Sequence, residues 1–381
     1  AGLTVGVVTA TIDAGSAAVI NAALNAAATD ALTITLTDAT VAATDLSGLN
    51  GKTAVDVNAA SVGTVTGTVT ELQAAYVSGV LGLGNEAITV TDASISVANA
   101  NIVAGLTTGV VTATITEGDM ATLAGLTETG HAYTVNVTDT ANVSASALTT
   151  LDGKTTVAVD ASLVTSVTGS QAELLALYEA GAAGRITGLG NEAATINVTV
   201  SAAEANQVSL LTSGVVTATL TSGSASDLNA ALTDTLPVAN AYTLTLTGTS
   251  AAMGDLNALN AKTSVEINVD TVTGLTGTSA ELSALLSGAT TLALVSADTT
   301  RGFAVTANGG FDGDETITLN GTVSAADADT ASGATTGVVT ATIDAGSAAV
   351  INGLLGAIGG ADLLTITLTD ATVAATDLSG L

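Results

Sequence analysis

The residues best able to do chemistry in this chain are acids. Asp13, Asp38, Asp92, Asp139, Asp344 and Asp370 each close a short segment in which apolar and polar residues alternate. Carboxylates at equivalent places on neighbouring strands would stack at strand spacing, and an oxygen-rich set of that kind suits Ca²⁺. The competing job for Asp at such a place is to cap the next turn through its own backbone hydrogen bonds. GGFDGDE at 309–315 adds Asp312, Asp314 and Glu315, with the Gly–Asp alternation of part of a calcium-binding nonapeptide turn. Ca²⁺ is thus the one cofactor the sequence offers. Asp312, Asp314 and Glu315 are its first candidate ligands, and Asp13, Asp38 and Asp92 its second.

Catalytic groups are scarce. His131, in TGHAYT, is the sole histidine, and it falls in a predicted surface loop. Serines and threonines without a histidine partner do not make an activated nucleophile. GKT at 51–53 and 153–155 has the tail of a phosphate loop, but Leu46 and Leu148 stand where its first Gly is required. Lys52, Lys154 and Lys262 recur at one phase of the repeat, which predicts a repeated surface ion pair. No catalytic or cofactor-binding set emerges, and the expectation is a non-enzyme.

Threonine forms a second pattern. Thr9/Thr11, Thr33/Thr35, Thr89/Thr91, Thr112/Thr114, Thr217/Thr219 and Thr245/Thr247 repeat as T-x-T. Ranks of Thr on a flat sheet are what ice-binding solenoids use. Asp56/Asn58, Ala158/Asp160 and Glu266/Asn268 interrupt the ranks at every third strand, so ice binding is a remoter reading. The plainer one is that Thr serves as a neutral strand former.

The elements that carry these residues repeat. GVVTATIDAGSAAVIN at 6–21 returns at 337–352, and LTITLTDATVAATDLSGL at 32–49 returns at 364–381. Gly6, Gly109, Gly214 and Gly337 mark a shorter unit, which divides the chain into 1–108, 109–213, 214–336 and 337–381. The first unit has four strand-like segments at 7–13, 32–38, 53–59 and 87–93. The second has them at 110–116, 133–139, 155–161 and 194–200, and the third at 215–221, 242–248, 263–269 and 315–321. An insertion near 287–310 breaks the pattern. Self-similarity at fixed intervals marks a repeat architecture, and here it reads as a window from a longer array.

Between strands the spacing turns helical. Thr68–Glu71, Ser170–Glu173 and Thr278–Glu281 read S/T-x-x-E, the capping box that opens a helix. Ser16 is placed to cap the helix after the first strand. Leu46/Leu49, Leu123/Leu126, Leu148/Leu151 and Leu256/Leu259 give shorter connections one apolar stripe. Strand then helix, repeated, predicts an α/β fold: a right-handed βα solenoid, with a parallel sheet, short helices on one face and a continuous rod. The rival is an all-β parallel β-helix, in which the leucine connections are further strands.

Thirty-four acids against five bases give a formal charge of −29, which repels nucleic acid and anionic membranes. Cysteine is absent, and no apolar run reaches the ~18 residues of a membrane helix. With those exclusions made, TVTGTVTEL, GLGNEAITVTDA and LSGLNGKTAVDV resemble repeats of very large secreted or surface proteins of bacteria, especially marine cyanobacteria. The likeness spans the chain outside residues ~287–310. It implies an extracellular or cell-surface structural or adhesive role. The expected function is a structural segment of an extracellular filament or giant surface protein, joined to further copies or adjacent repeats through continuous sheet. The alternative is a calcium-dependent adhesin or carbohydrate-binding solenoid, with cell-surface polysaccharide as partner. Nucleic acid and membrane insertion are not expected.

Overall fold

Alternation decides the strands. In the stretch from Leu32 to Leu36, Leu32, Ile34 and Leu36 are buried while Thr33 is exposed, as a half-buried strand requires. The structure, a computed structural model, describes residues 6–77, 79–233, 240–286 and 314–381, with the backbone of 294–295. Each of the twelve alternating segments contains a strand. The strand pairings among the described residues are parallel, and most join residues 20 to 27 apart, as Thr9 with Ala31, Ile88 with Val111 and Val159 with Ile186. We call one such strand-to-helix interval a rung.

The chain packs as two compact units, Ala1–Val167 with Ala176–Leu189, and Thr168–Leu175 with Gly190–Leu381. In the first, strands Thr40–Ala42, Thr64–Gly67, Ala87–Val90, Val111–Thr114 and Ala132–Thr134 form a five-stranded sheet in that order. Val41, Val65, Ile88 and Val111 line up across four of its strands and are all buried. In the second unit, Ser250–Ala252, Gly274–Gly277, Thr316–Val323, Val339–Ile343 and Leu363–Thr365 repeat the arrangement, with Ala251, Leu275, Ile317 and Val339 as the buried row.

Several strands lie in what the sequence offered as connections. Thr64–Gly67 is one, and it changes the Thr ranks. The rung between Thr40–Ala42 and Ala87–Val90 comes from TVTG, not from TAVDVNA, so Thr66, Thr89 and Thr112 stand side by side without a break. The interrupting strand Val57–Asn58 pairs with Val80–Leu81 in a separate two-stranded sheet. Thr276, Thr318 and Thr340 form the corresponding row of the second unit. Breaks of the expected kind remain where Thr35 faces Asn58 and where Thr245 faces Asn268.

Fourteen helices, of four to twelve residues, lie among the described residues. Helices this short are marginal alone and owe their stability to packing. The leucine connections are helices: Leu46 and Leu49 lie in Ala43–Asn50, Leu148 and Leu151 in Ala145–Asp152, and Leu256 and Leu259 in Met253–Asn260, all buried. Further strands there would have been the all-β alternative, so the fold class is mixed α/β. Small residues let the helices sit close: Ala100, Ala205 and Ala328 are fully buried at matching places in Val97–Ala104, Ala202–Ser209 and Ala325–Ala334. No helix among the described residues is long and apolar enough to cross a membrane.

Most of the insertion at 287–310 lies outside the described residues. Its effect on register is visible, since Gly274 pairs with Thr316, 42 residues on, in place of the usual interval.

Candidate functional site: polar ladders between the rungs

Four of the six strand-end acids, and Glu117 with them, serve helices in the preceding rung. Asp38 accepts the amide N–H of Ala17 (2.5 Å), Asp92 that of Val69 (2.8 Å), Glu117 that of Val97 (3.0 Å), Asp139 that of Met120 (2.6 Å) and Asp370 that of Ala348 (2.5 Å). Each recipient is the first residue of its helix, where the amide has no intrahelical partner and the helix dipole favours negative charge. Ser16 occupies the N-cap position of its helix but makes no side-chain cap bond, so Asp38 performs the role expected of it. The three predicted capping boxes are present, and Ser201–Glu204 adds a fourth.

This geometry separates the carboxylates that the calcium reading would stack. Gly15 pairs with Leu36, so Asp38 stands beside Ala17 and not beside Asp13, which is exposed. Asp92 is likewise turned to a helix amide. Asp312 lies outside the described residues. Asp314 is exposed, and Glu315 is buried at the start of strand Thr316–Val323. Glu315 matches Glu86 and Glu192, both buried before a strand. Glu86 accepts the amides of Gly84 (2.7 Å) and Asn85 (3.1 Å) and the Tyr76 hydroxyl, while Glu192 accepts those of Gly190 (2.8 Å) and Asn191 (3.1 Å). Such carboxylates fix the turn before their strand. Burial, reinforced by Glu86, raises the Tyr76 hydroxyl far above its ordinary value. Among the described residues no group of three His, Asp or Glu is placed to hold a metal ion.

His131 is not a surface-loop residue. It is 5% exposed, and its Nδ1 accepts the amide N–H of Val111 in the preceding rung at 3.1 Å. Asp30, Asn240 and Asp362 stand at the same position and accept the amides of Val8 (2.9 Å), Val216 (2.7 Å) and Val339 (2.8 Å). The donor is in every case the second residue after a marker glycine. The signal was available in the sequence as a column of D, H, N and D immediately before the strands that begin at Ala31, Ala132, Ala241 and Leu363.

Threonines, all buried but the half-buried Thr335, make the third ladder. The hydroxyls of Thr107, Thr155, Thr212, Thr263 and Thr335 donate to the carbonyls of Glu86, Tyr133, Glu192, Tyr242 and Glu315 at 2.6–2.7 Å. Thr53 does the same for Leu32 at 2.8 Å. The recurring lysines also differ from expectation. They do not form a repeated ion pair: Lys52, Lys154 and Lys262 donate to backbone carbonyls of Asn21, Thr127 and Asn229, at or just past the C-terminal turn of the preceding helix. Cations belong there for the same dipole reason that acids belong at the other end. Burial pulls the Lys262 ammonium below its ordinary value, and Asp255 opposes it.

Among the described residues, two of the cavities are lined in part by helix Ala145–Asp152. One of about 230 Å³ opens between Met120–Leu123 and Ala145–Asp152, where a single-turn helix leaves room. The other, about 350 Å³, holds the Arg185–Asp152 ion pair (2.8 Å) beside Gly130 and Thr155. Neither brings a nucleophile to a base. Comparison with known proteins found no matching family model, no matching curated protein and no matching solved structure.

Proposed function

We propose that this chain is a structural repeat segment of an extracellular filament or giant cell-surface protein, built as a right-handed βα solenoid and joined to further copies through continuous parallel sheet. The handedness follows from the general preference of parallel crossovers. The observation that carries the reading is where the polar groups go. Recurring acids, lysines and threonines and the single histidine bond backbone groups of a neighbouring rung, which suits a scaffold. The test is electron microscopy. Long thin particles with an axial period set by the 331-residue repeat are expected, and compact separate globules of fixed size would overturn the proposal.

A further inference from the structure

The four positions that tie a rung to the start of the one before it are chemically unequal. Asp30, Asn240 and Asp362 present oxygen, which accepts an amide N–H across the neutral and mildly acidic range. His131 presents Nδ1, which accepts only while that nitrogen carries no proton. Its other nitrogen, Nε2, is buried and has no hydrogen-bond partner. The neutral ring therefore carries its proton on Nε2, and an incoming proton can add only at Nδ1, facing the Val111 N–H.

We propose that His131 is an acid-operated release in the fold, which lets the rung beginning at Val111 part from the rung beginning at His131 when the imidazole is protonated. Two donors would then oppose each other across the former bond, and a cation would sit in a site that offers it no acceptor. The groups around the ring do little to oppose this. Glu128 on the same connection favours the charged form, Tyr133 lies with its ring centroid 5.2 Å away, and burial outweighs Glu128 in holding the imidazole below its ordinary value. From the following rung, Thr156 donates its amide to the His131 carbonyl at 2.8 Å. The charges nearest on that side are already engaged: Asp152 with Arg185, and Lys154 with the Thr127 carbonyl. Glu128 also acts on Tyr133, whose hydroxyl is pushed up to about 12, chiefly by burial.

The sign follows from proton counting. A histidine whose folded pKa lies below its unfolded value binds its proton more readily when the joint is open. The joint therefore keeps its full strength above the unfolded value of about 6.5 and weakens as pH falls below it.

Amide hydrogen exchange on the intact chain tests this, with rates corrected for the intrinsic pH dependence of exchange. Between about pH 7.5 and 5.5, opening at Val111 should increase up to about tenfold per pH unit once below the imidazole value. Val216 and Val8, held by Asn240 and Asp30, should stay flat and serve as internal references. His131→Asn, which copies the residue at position 240, should keep Val111 protected at both pH values. Imidazole nitrogen shifts should show Nδ1 unprotonated at neutral pH. Three results would overturn the proposal: a flat Val111 in the unmodified chain, a parallel loss at Val216 and Val8, or a protonated Nδ1 at neutral pH. An undiminished acid response at Val111 in His131→Asn would do so as well.

Discussion

The Asp92 carboxylate accepts the amide hydrogen of Val69 at 2.8 Å, although the two residues belong to different rungs. The bond joins the end of one strand to the beginning of a helix one rung earlier. It recurs at Asp38, Glu117, Asp139 and Asp370, so each of these acids does two jobs. It stabilises a short helix, and it fixes how far one rung is displaced along the next.

Replacing Asp92 by Ala should therefore cost about 0.5–2 kcal/mol, the range for loss of a helix cap. Asp13→Ala, at an exposed strand end, should change stability by no more than about 0.5 kcal/mol. Urea denaturation of the two variants gives the comparison, and equal effects would mean that the inter-rung bond contributes nothing.

The buried hydroxyl ladder should be more sensitive. Thr263 donates to the Tyr242 carbonyl (2.7 Å) and accepts the amides of Tyr242 (3.0 Å) and Val265 (3.1 Å). Thr263→Val keeps the shape and strands these backbone groups, at a cost of about 1–3 kcal/mol. Thermal and urea melts should report the loss without a change in the far-ultraviolet circular dichroism of the folded state.

Three of the marker glycines, Gly109, Gly214 and Gly337, are fixed by crowding. A Cβ on Gly109 would lie 2.3 Å from the Glu86 carbonyl oxygen, and one on Gly214 would lie 2.3 Å from that of Glu192. Gly109→Ala should destabilise by about 1–3 kcal/mol as the rungs are forced apart. Gly353, inside helix Ala348–Leu354 with open space around it, is the contrast: Gly353→Ala should stabilise by about 0.5–1 kcal/mol. Equilibrium denaturation of both variants should give opposite signs.

At lower pH a second set of groups takes over from His131. Hydrogen bonds from the Thr122 hydroxyl and amide hold Asp119 below 3.8, those from Ser162 do so for Asp160, and those from Ser201 hold Glu204 below 4.5. Carboxylates with depressed values stabilise the fold above their unfolded pKa, and that stability is lost as pH falls through the folded one. Melting temperature should accordingly fall in two steps, a small one below about pH 6.5 and a larger one below about pH 4. His131→Asn should remove the first step only.

Chelation separates scaffold from calcium site. Asp38 and Asp92 direct oxygens to helix amides, so excess chelator should leave the melting temperature within about 1 °C. A larger drop would assign Ca²⁺ to the GGFDGDE stretch and favour the adhesin reading.

The local structure was legible where one residue type at one spacing has one job. S/T-x-x-E at 68–71, 170–173 and 278–281 became capping boxes because both partners lie within a single helical turn. Leu32, Ile34 and Leu36 went inside because a strand has only two faces. What the sequence could not assign were bonds whose partners lie a rung apart. The 21 residues separating Asp38 from Ala17, whose amide it accepts, have no local signature, and the partner is chosen by register. Register also moved the Thr ranks, since Thr64–Gly67, too short to announce itself as a strand, supplied the missing row. Burial did the rest. His131 looks like loop chemistry in TGHAYT, and only the neighbouring strand, bringing the Val111 amide to 3.1 Å, makes it part of the scaffold.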